Sequence, residues 1–317
     1  MYYCFLKEEV NKLINDPLEI QRKYAQRLGR VCIGSLNEQT IVDEAGRSIN
    51  IKNKKVLLRC TYDNLINGLH LLKKYGAGLA ETEEDIKKIE EWYTLGFTER
   101  HLWEITLPDL LAVQSWVSGT ADIIFLKSKQ KGFSAVISTA RIANRDSSVI
   151  EFLETNSRKF GSKMILSKYF PIRSDSLGTR ETRHVVLGHR VTSSSRMLHS
   201  IKHTVPRSHK TKAQTIADKI RYSGALPPNY VLDLGEFMDS TGGVYLDIVE
   251  LNPLSCSLCY VNNSIFDIAV PEIQDCYHTL NMGYEYCFDS IFHPQNYIQT
   301  RVSNKKYGFT TEKQYFL

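Results

Sequence analysis

Val231-Leu-Asp-Leu-Gly235 and Asp247-Ile-Val-Glu-Leu-Asn-Pro253 are two apolar stretches broken by acids and joined through Asp239-Ser-Thr-Gly-Gly243. Val, Ile, Leu and Tyr favour extended backbone, and a Gly-rich connection favours a hairpin, so 230–234 and 244–251 are predicted as paired strands. Side chains two apart on a strand share a face, so Glu250 and Asn252 project together, with Asp233 near the end of the neighbouring strand. Oxygen donors converging from paired strands suit Mg²⁺, which takes carboxylates together with nucleotide phosphates. Asn252 adds a neutral oxygen, and Pro253 ends the strand and fixes that ligand. The alternative is a solvated face of an antiparallel sheet, where acids are common, and this segment alone does not choose between the two.

Working outward, Phe125-Leu-Lys-Ser-Lys-Gln-Lys-Gly-Phe-Ser134 reads as a strand over 123–127 returning over 132–139, with Lys127, Lys129 and Lys131 in the loop. Gly132 lets that loop approach a phosphate closely. Farther on, 182–187 and 190–196 flank Gly188-His189, a tight hairpin carrying Arg183 on one strand and Arg196 on the other. Such cations can cover the phosphate charge that one Mg²⁺ leaves uncompensated. Lysines at a hairpin tip are usually solvated, so the order of these elements along the chain is the signal, more than any one residue.

That order, through Ile165-Leu-Ser-Lys-Tyr-Phe170, Glu181-Thr-Arg-His-Val-Val-Leu-Gly-His-Arg-Val191 and the two opening segments, resembles the ATP-grasp superfamily over about residues 55–265. The similarity is to its small phage and bacterial families and to the cell-division-cycle assembly factors. The resemblance implies an α+β fold, with two α+β lobes whose antiparallel sheets clasp ATP, preceded by a small α/β N-terminal domain. The expected regions are 1–120 before the nucleotide lobes, 121–170 and 171–290 as the lobes, and 291–317 as a loosely held tail. ATP and Mg²⁺ are the implied cofactors. Lys127 and Lys131 would bind phosphates, the strand at Ser167, Lys168 and Tyr169 would meet the adenine, and Asp233, Glu250 and Asn252 would hold the metal. Arg183 would face the transferred phosphoryl group, with Arg196 reaching the γ-phosphate or an acyl-phosphate. The implied reaction joins a carboxylate to an amine or thiol, with a small-molecule, peptide or protein acceptor. The alternative is an ATP-binding assembly chaperone with little turnover. The chain departs from the family at Lys168-Tyr169, where many members have Glu-Tyr, and in a flap reduced to Lys131-Gly-Phe-Ser134.

Composition bounds the rest. A 317-residue chain with 42% hydrophobic and 24% charged residues is globular and too long for a single core. No stretch is long and apolar enough to span a bilayer, and Glu8 and Glu9 interrupt any signal-peptide core, so a cytoplasmic protein that does not enter membranes is expected. Seven scattered cysteines, an odd count, fit reduced thiols. Cys256-x-x-Cys259 could be a redox pair or, with Cys276 and His278, a zinc site; the spacing is unlike a zinc ribbon or finger, and buried free thiols are expected. The net charge of +5 includes a basic stretch over 202–221, read as a solvated helix face, with a nucleic-acid-modifying protein that uses this stretch kept as the weaker alternative. Trp92, Trp103 and Trp116 are expected in packing roles, and His184, His189, His199, His203 and His209 at the surface.

Overall fold

Tyr2–Leu6 is an uninterrupted apolar run, and only a strand covered on both faces buries such a run completely; Tyr3, Cys4, Phe5 and Leu6 have no exposed surface. In the computed structural model, which describes residues 2–10, 22, 25, 31–112, 123–129, 133–175, 178–196, 205–257 and 314–316, this strand is the centre of a five-stranded sheet. The order is β3 (Thr40–Val42), β2 (Val31–Ser35), β1 (Tyr2–Leu6), β4 (Lys55–Arg59), β5 (Gly78–Leu79). β1 lies parallel to β2 and β4, β5 parallel to β4, and β3 antiparallel to β2. The helix Leu65–Lys74 packs Leu65, Leu69 and Leu72 into this core. Its Gly68 lets the helix approach β4 closely, because a Cβ would lie 2.6 Å from Leu58 Cδ2 and would force that side chain to move. The next helix, Glu83–Glu90, starts on a reciprocal capping box: Asp85 N–H donates to Thr82 Oγ1 at 3.2 Å and Thr82 N–H to Asp85 Oδ2 at 2.9 Å.

The chain forms two compact units, and the sheet above belongs to the first, Met1–Ile89 with Ile172–Glu236 and Ile248–Phe309. A second sheet has the order β13 (Arg190–Arg196), β12 (Glu181–Leu187), β14 (Tyr230–Met238), β15 (Val244–Asn252), with β12 antiparallel to both its neighbours. Gly188 and His189 both have positive φ, 58° and 60°, the two-residue turn that matches strand twist. The helix Arg207–Ser223 covers β12 and β13 with Ala213, Ile216, Ala217 and Ile220, while Arg207, Lys210, Lys219 and Arg221 are exposed. From Arg207 onward the basic stretch is thus the outer face of an amphipathic helix, and Lys202 lies outside the described residues.

The second unit is Glu90–Pro171 with Phe237–Asp247 and Thr310–Leu317. Its sheet runs β16 (Gln314–Phe316), β8 (Ser134–Ser138), β7 (Ile123–Ser128), β9 (Lys163–Lys168), β6 (Trp103–Thr106). One face carries Ile124, Leu126, Ala135, Ile137, Met164 and Leu166 against the helices Thr139–Ala143 and Ser147–Phe160. Asp146 caps the longer helix, accepting from Ser148 N–H at 3.0 Å and Val149 N–H at 3.4 Å. The expected boundary at 120 does not coincide with the parting of the units, because β6 pairs with β9 and so places residues from 90 onward in the second unit. Trp92 is buried as expected, whereas Trp103 is 52% exposed and stacks on His101; Trp116 lies outside the described residues, as does the tail 291–317 apart from β16. Among the described residues no helix is long and apolar enough to cross a membrane.

Candidate functional site

Residues facing each other across antiparallel strands point to the same side, and β12–β14 register sets Arg183 opposite Asp233. Arg183 grips that carboxylate with both arms of its fork, Nε to Oδ1 at 2.8 Å and Nη2 to Oδ2 at 2.6 Å. From β15, Asn252 Nδ2 donates to Asp233 Oδ2 and to Glu250 Oε1, each at 2.9 Å. Arg183 Nη2 lies 3.9 Å from Glu250 Oε1. The four side chains therefore form one group on one face of the sheet. Asp233, Arg183 and Asn252 are buried, and Glu250 keeps partial exposure. Asn252 Oδ1 is buried with no hydrogen-bond partner, a costly state for an amide oxygen.

Arg196 does not join this group. The two-residue turn pairs Leu187 with Arg190 and Val186 with Val191, but Val185 then pairs with Ser193, so Thr192 is an extra residue in β13. Beyond that bulge Arg196 faces Thr182 rather than sharing the side of Arg183. Its guanidinium bonds Asp175 Oδ2 at 2.9 Å. On that opposite face, beneath the helix Arg207–Ser223, two of the histidines expected at the surface are buried, His184 completely and His209 nearly so, while His189 is half-buried and His199 and His203 lie outside the described residues. His184 and His209 belong to one hydrogen-bonded chain. Ser194 Oγ lies 2.9 Å from His184 Nδ1, His184 Nε2 is 2.9 Å from Thr182 Oγ1, Thr182 Oγ1 is 2.9 Å from His209 Nδ1, and His209 Nε2 is 3.1 Å from Glu236 Oε1. A carboxylate only accepts, so with both rings neutral every proton points the same way, from Ser194 toward Glu236.

Burial holds His184 down at about 3, helped by the charges of His209 and Lys210, and burial also lowers His209 against the opposing pull of Glu236. Between about 6.5, the ordinary value, and those lowered values, the unfolded chain binds protons that the folded chain refuses. Stability is therefore expected to fall as pH drops from 7 to 5. Thermal midpoints across that range check this, and His184→Gln should flatten the decline while lowering the midpoint at pH 7.

In the second unit, β7 alternates Ile124, Leu126 and Ser128 into the helix-covered core with Phe125 and Lys127 on the other face. Lys127 is flanked across the sheet by Ser134 and Ile165, and Phe125 by Val136 and Ser167. Ser167 Oγ, on the Lys127 face, is buried without a hydrogen-bond partner. The β6 ladder ends at Leu166, so Ser167 and Lys168 are paired on the β7 side alone, and Tyr169 N–H reaches Ile123 O at 2.9 Å. The Lys168 side chain points away from the Lys127 face and is exposed. Lys131 lies outside the described residues.

Among solved structures, VanG D-Ala:D-Ser ligase from Enterococcus faecalis superposes with a TM-score of 0.50 at 10% identity, covering 88% of this chain and 99% of that one. The chain has the ATP-grasp fold. The D-alanine–D-alanine ligase from Bacillus anthracis complexed with ATP matches at TM-score 0.48 and 14% identity over 91% of this chain and 94% of its own. The ATP-grasp ligase PsnB complexed with minimal precursor matches at 0.48 and 11% identity over 88% and 98%. No family model and no curated protein matches the sequence.

An ATP-grasp fold implies a magnesium ion, and the donor set can be tested against that ion's chemistry. Among the described residues no group of three or more His, Cys, Asp or Glu side chains is built to hold a metal by itself. The group here has two acids and an amide. Asn252 places its Nδ2 between both carboxylates, and half a turn of that amide would exchange Nδ2 for the unsatisfied Oδ1. The residues fit a hard cation that draws its remaining ligands from elsewhere. Asp247, the other acid of the motif, is not part of this group. Three residues before Glu250, it faces the other way and accepts from Glu99 N–H at 3.1 Å and Arg100 Nε at 3.2 Å.

Sequence reasoning missed two residues that position the Glu250–Asn252 segment. Glu81 is buried and accepts from Leu254 N–H and Ser255 N–H, both at 2.8 Å, and burial raises its carboxyl above the usual range. Arg59, also buried, donates through Nη1 to Leu254 O. Together they hold the chain directly after Pro253. Arg59 carried a signal, a cation ending the apolar strand Val56-Leu-Leu-Arg59 much as Lys127 follows Phe125-Leu; Glu81 sits in an acidic run and carried none.

Proposed function

We propose that this protein is an Mg-ATP-dependent ligase that joins a carboxylate to an amine or thiol through an acyl-phosphate. The observation that carries the reading is the buried Arg183–Asp233–Asn252–Glu250 group with its unsatisfied amide oxygen. In the proposed role Asp233, Glu250 and Asn252 hold Mg²⁺, which supplies charge stabilisation to the phosphoryl group in transfer. Arg183 fixes Asp233 for that purpose and keeps the summed charge of the group near that of a single carboxylate. Lys127 would bind nucleotide phosphates, and the main chain at Ser167–Tyr169, paired on one side only, would meet the adenine. The names of the matched ligases suggest an amino-acid or peptide acceptor. Such transfer requires no side-chain nucleophile.

One observation favours a second reading, an ATP-binding assembly factor with little turnover. Arg183 is committed to Asp233 and Arg196 to Asp175, so both arginines expected at the transferred phosphoryl group are engaged by carboxylates. Incubating the protein with Mg-ATP and a pool of amino acids and peptides, and measuring ADP, separates the two. The ligase reading predicts ADP release that rises with a particular acceptor. Tight Mg-ATP binding with no ADP under any acceptor would contradict it and support the assembly factor.

A further inference from the structure

Cys60 follows the end of β4 directly after Arg59, and Cys256 lies in the segment that follows the Glu250–Asn252 motif. Cys60 N–H donates to Ser255 O at 3.1 Å, and the Arg59 guanidinium donates to Leu254 O, so the two backbones meet at the position of the two thiols. Chains joined by a main-chain hydrogen bond lie about 5 Å apart, inside the Cα separation of about 4.4–6.8 Å that a disulfide bridges. The Cys60 and Cys256 side chains pack against one apolar core and lie close enough for each thiol to act on the other. Cys60 is buried, whereas Cys256 is partly exposed. A second close pair, Cys4 and Cys32, faces across β1 and β2 but is wholly buried, out of reach of a solute.

We propose that Cys60 and Cys256 form a dithiol oxidation site that takes a hydroperoxide and closes a disulfide, tying the chain after Asn252 to β4. The exposed member reacts first. Cys256, as its thiolate, attacks one peroxide oxygen; the O–O bond breaks, and the departing oxygen leaves with a proton as water or an alcohol. The resulting sulfenic acid is attacked at sulfur by Cys60, the S–O bond breaks, and the oxygen leaves as water with the Cys60 proton. Two thiols lose two electrons and the peroxide gains them. Burial favours the protonated Cys60 thiol, so Cys60 is not the first attacker, and its proton is the one that leaves with the water. The bond adds a covalent tie to a segment already held by Arg59 and Glu81. This site stands independently of what the protein ligates.

The test is peptide mapping of the full chain after one equivalent of hydrogen peroxide, with free thiols alkylated on unfolding and no reductant added. The expected result is a reducible cross-link between the peptides carrying Cys60 and Cys256, with Cys4 and Cys32 recovered alkylated. Cys256→Ser, a small change at a partly exposed position, should abolish the cross-link. Recovery of Cys60 as an alkylated thiol overturns the proposal, whether Cys256 is then alkylated, over-oxidised to sulfinic acid or joined to Cys259.

Discussion

Arg183→Ala is expected to cost about 3–5 kcal/mol of folding stability, the loss seen when one partner of a buried ion pair is removed. Asp233 has no exposed surface, and Arg183 supplies two of its hydrogen bonds. Removing the guanidinium takes both of those bonds from a buried carboxylate, and the Asn252 amide that also bonds it is shared with Glu250. Urea denaturation of wild type, Arg183→Ala and the double variant Arg183→Ala/Asp233→Asn measures the effect. The double variant should recover much of the loss, because it removes the stranded charge while keeping the side-chain shape. A single variant within about 1 kcal/mol of wild type would mean that the pair is not buried as described. The consequence for enzymology is direct: a fall in turnover for Arg183→Ala cannot be assigned to catalysis until its stability is known. Arg183→Lys, which keeps the charge and loses the fork, is the better probe.

Much of this group was legible in the sequence. The alternation that sets Glu250 and Asn252 on one face needs only the two-residue repeat of a strand, and the Asp239-to-Gly243 turn fixes which strand lies beside it. The caps at Asp146 and Thr82, and the turn at Gly188-His189, were likewise readable, because each is local chemistry. What failed was register and burial. The extra residue at Thr192 turns Arg196 to the far face, and nothing in Arg-Val-Thr-Ser-Ser-Ser-Arg announces a bulge. His184 and His209 looked like surface residues because their partners, Thr182 and Glu236, come from other positions along the chain or other strands. In the sequence Tyr2–Leu6 is only a short apolar run ahead of Glu8 and Glu9, and its place at the centre of a sheet depends on strands at 31 and 55 that pair with it.

Glu250→Gln is expected to remove most of the magnesium dependence of nucleotide binding. Glutamine keeps the size and one oxygen but loses the charge, and it places a second amide beside Asn252. Disturbing even the partners of metal ligands commonly costs about 10–100-fold in metal affinity, and a ligand itself should cost at least as much. Glu250 is partly exposed and is not the residue that Arg183 forks, so the fold should tolerate the change. Lys127→Ala should instead weaken ATP binding whether or not magnesium is present, because it removes a cation and no metal ligand. The most direct measurement is calorimetric titration of ATP into wild type and Glu250→Gln, with magnesium and with chelator. The proposed site predicts that wild type binds ATP far more tightly with magnesium than without, and that the gap closes in Glu250→Gln. Wild type that binds no nucleotide, or a Glu250→Gln protein with the full magnesium effect, would contradict it.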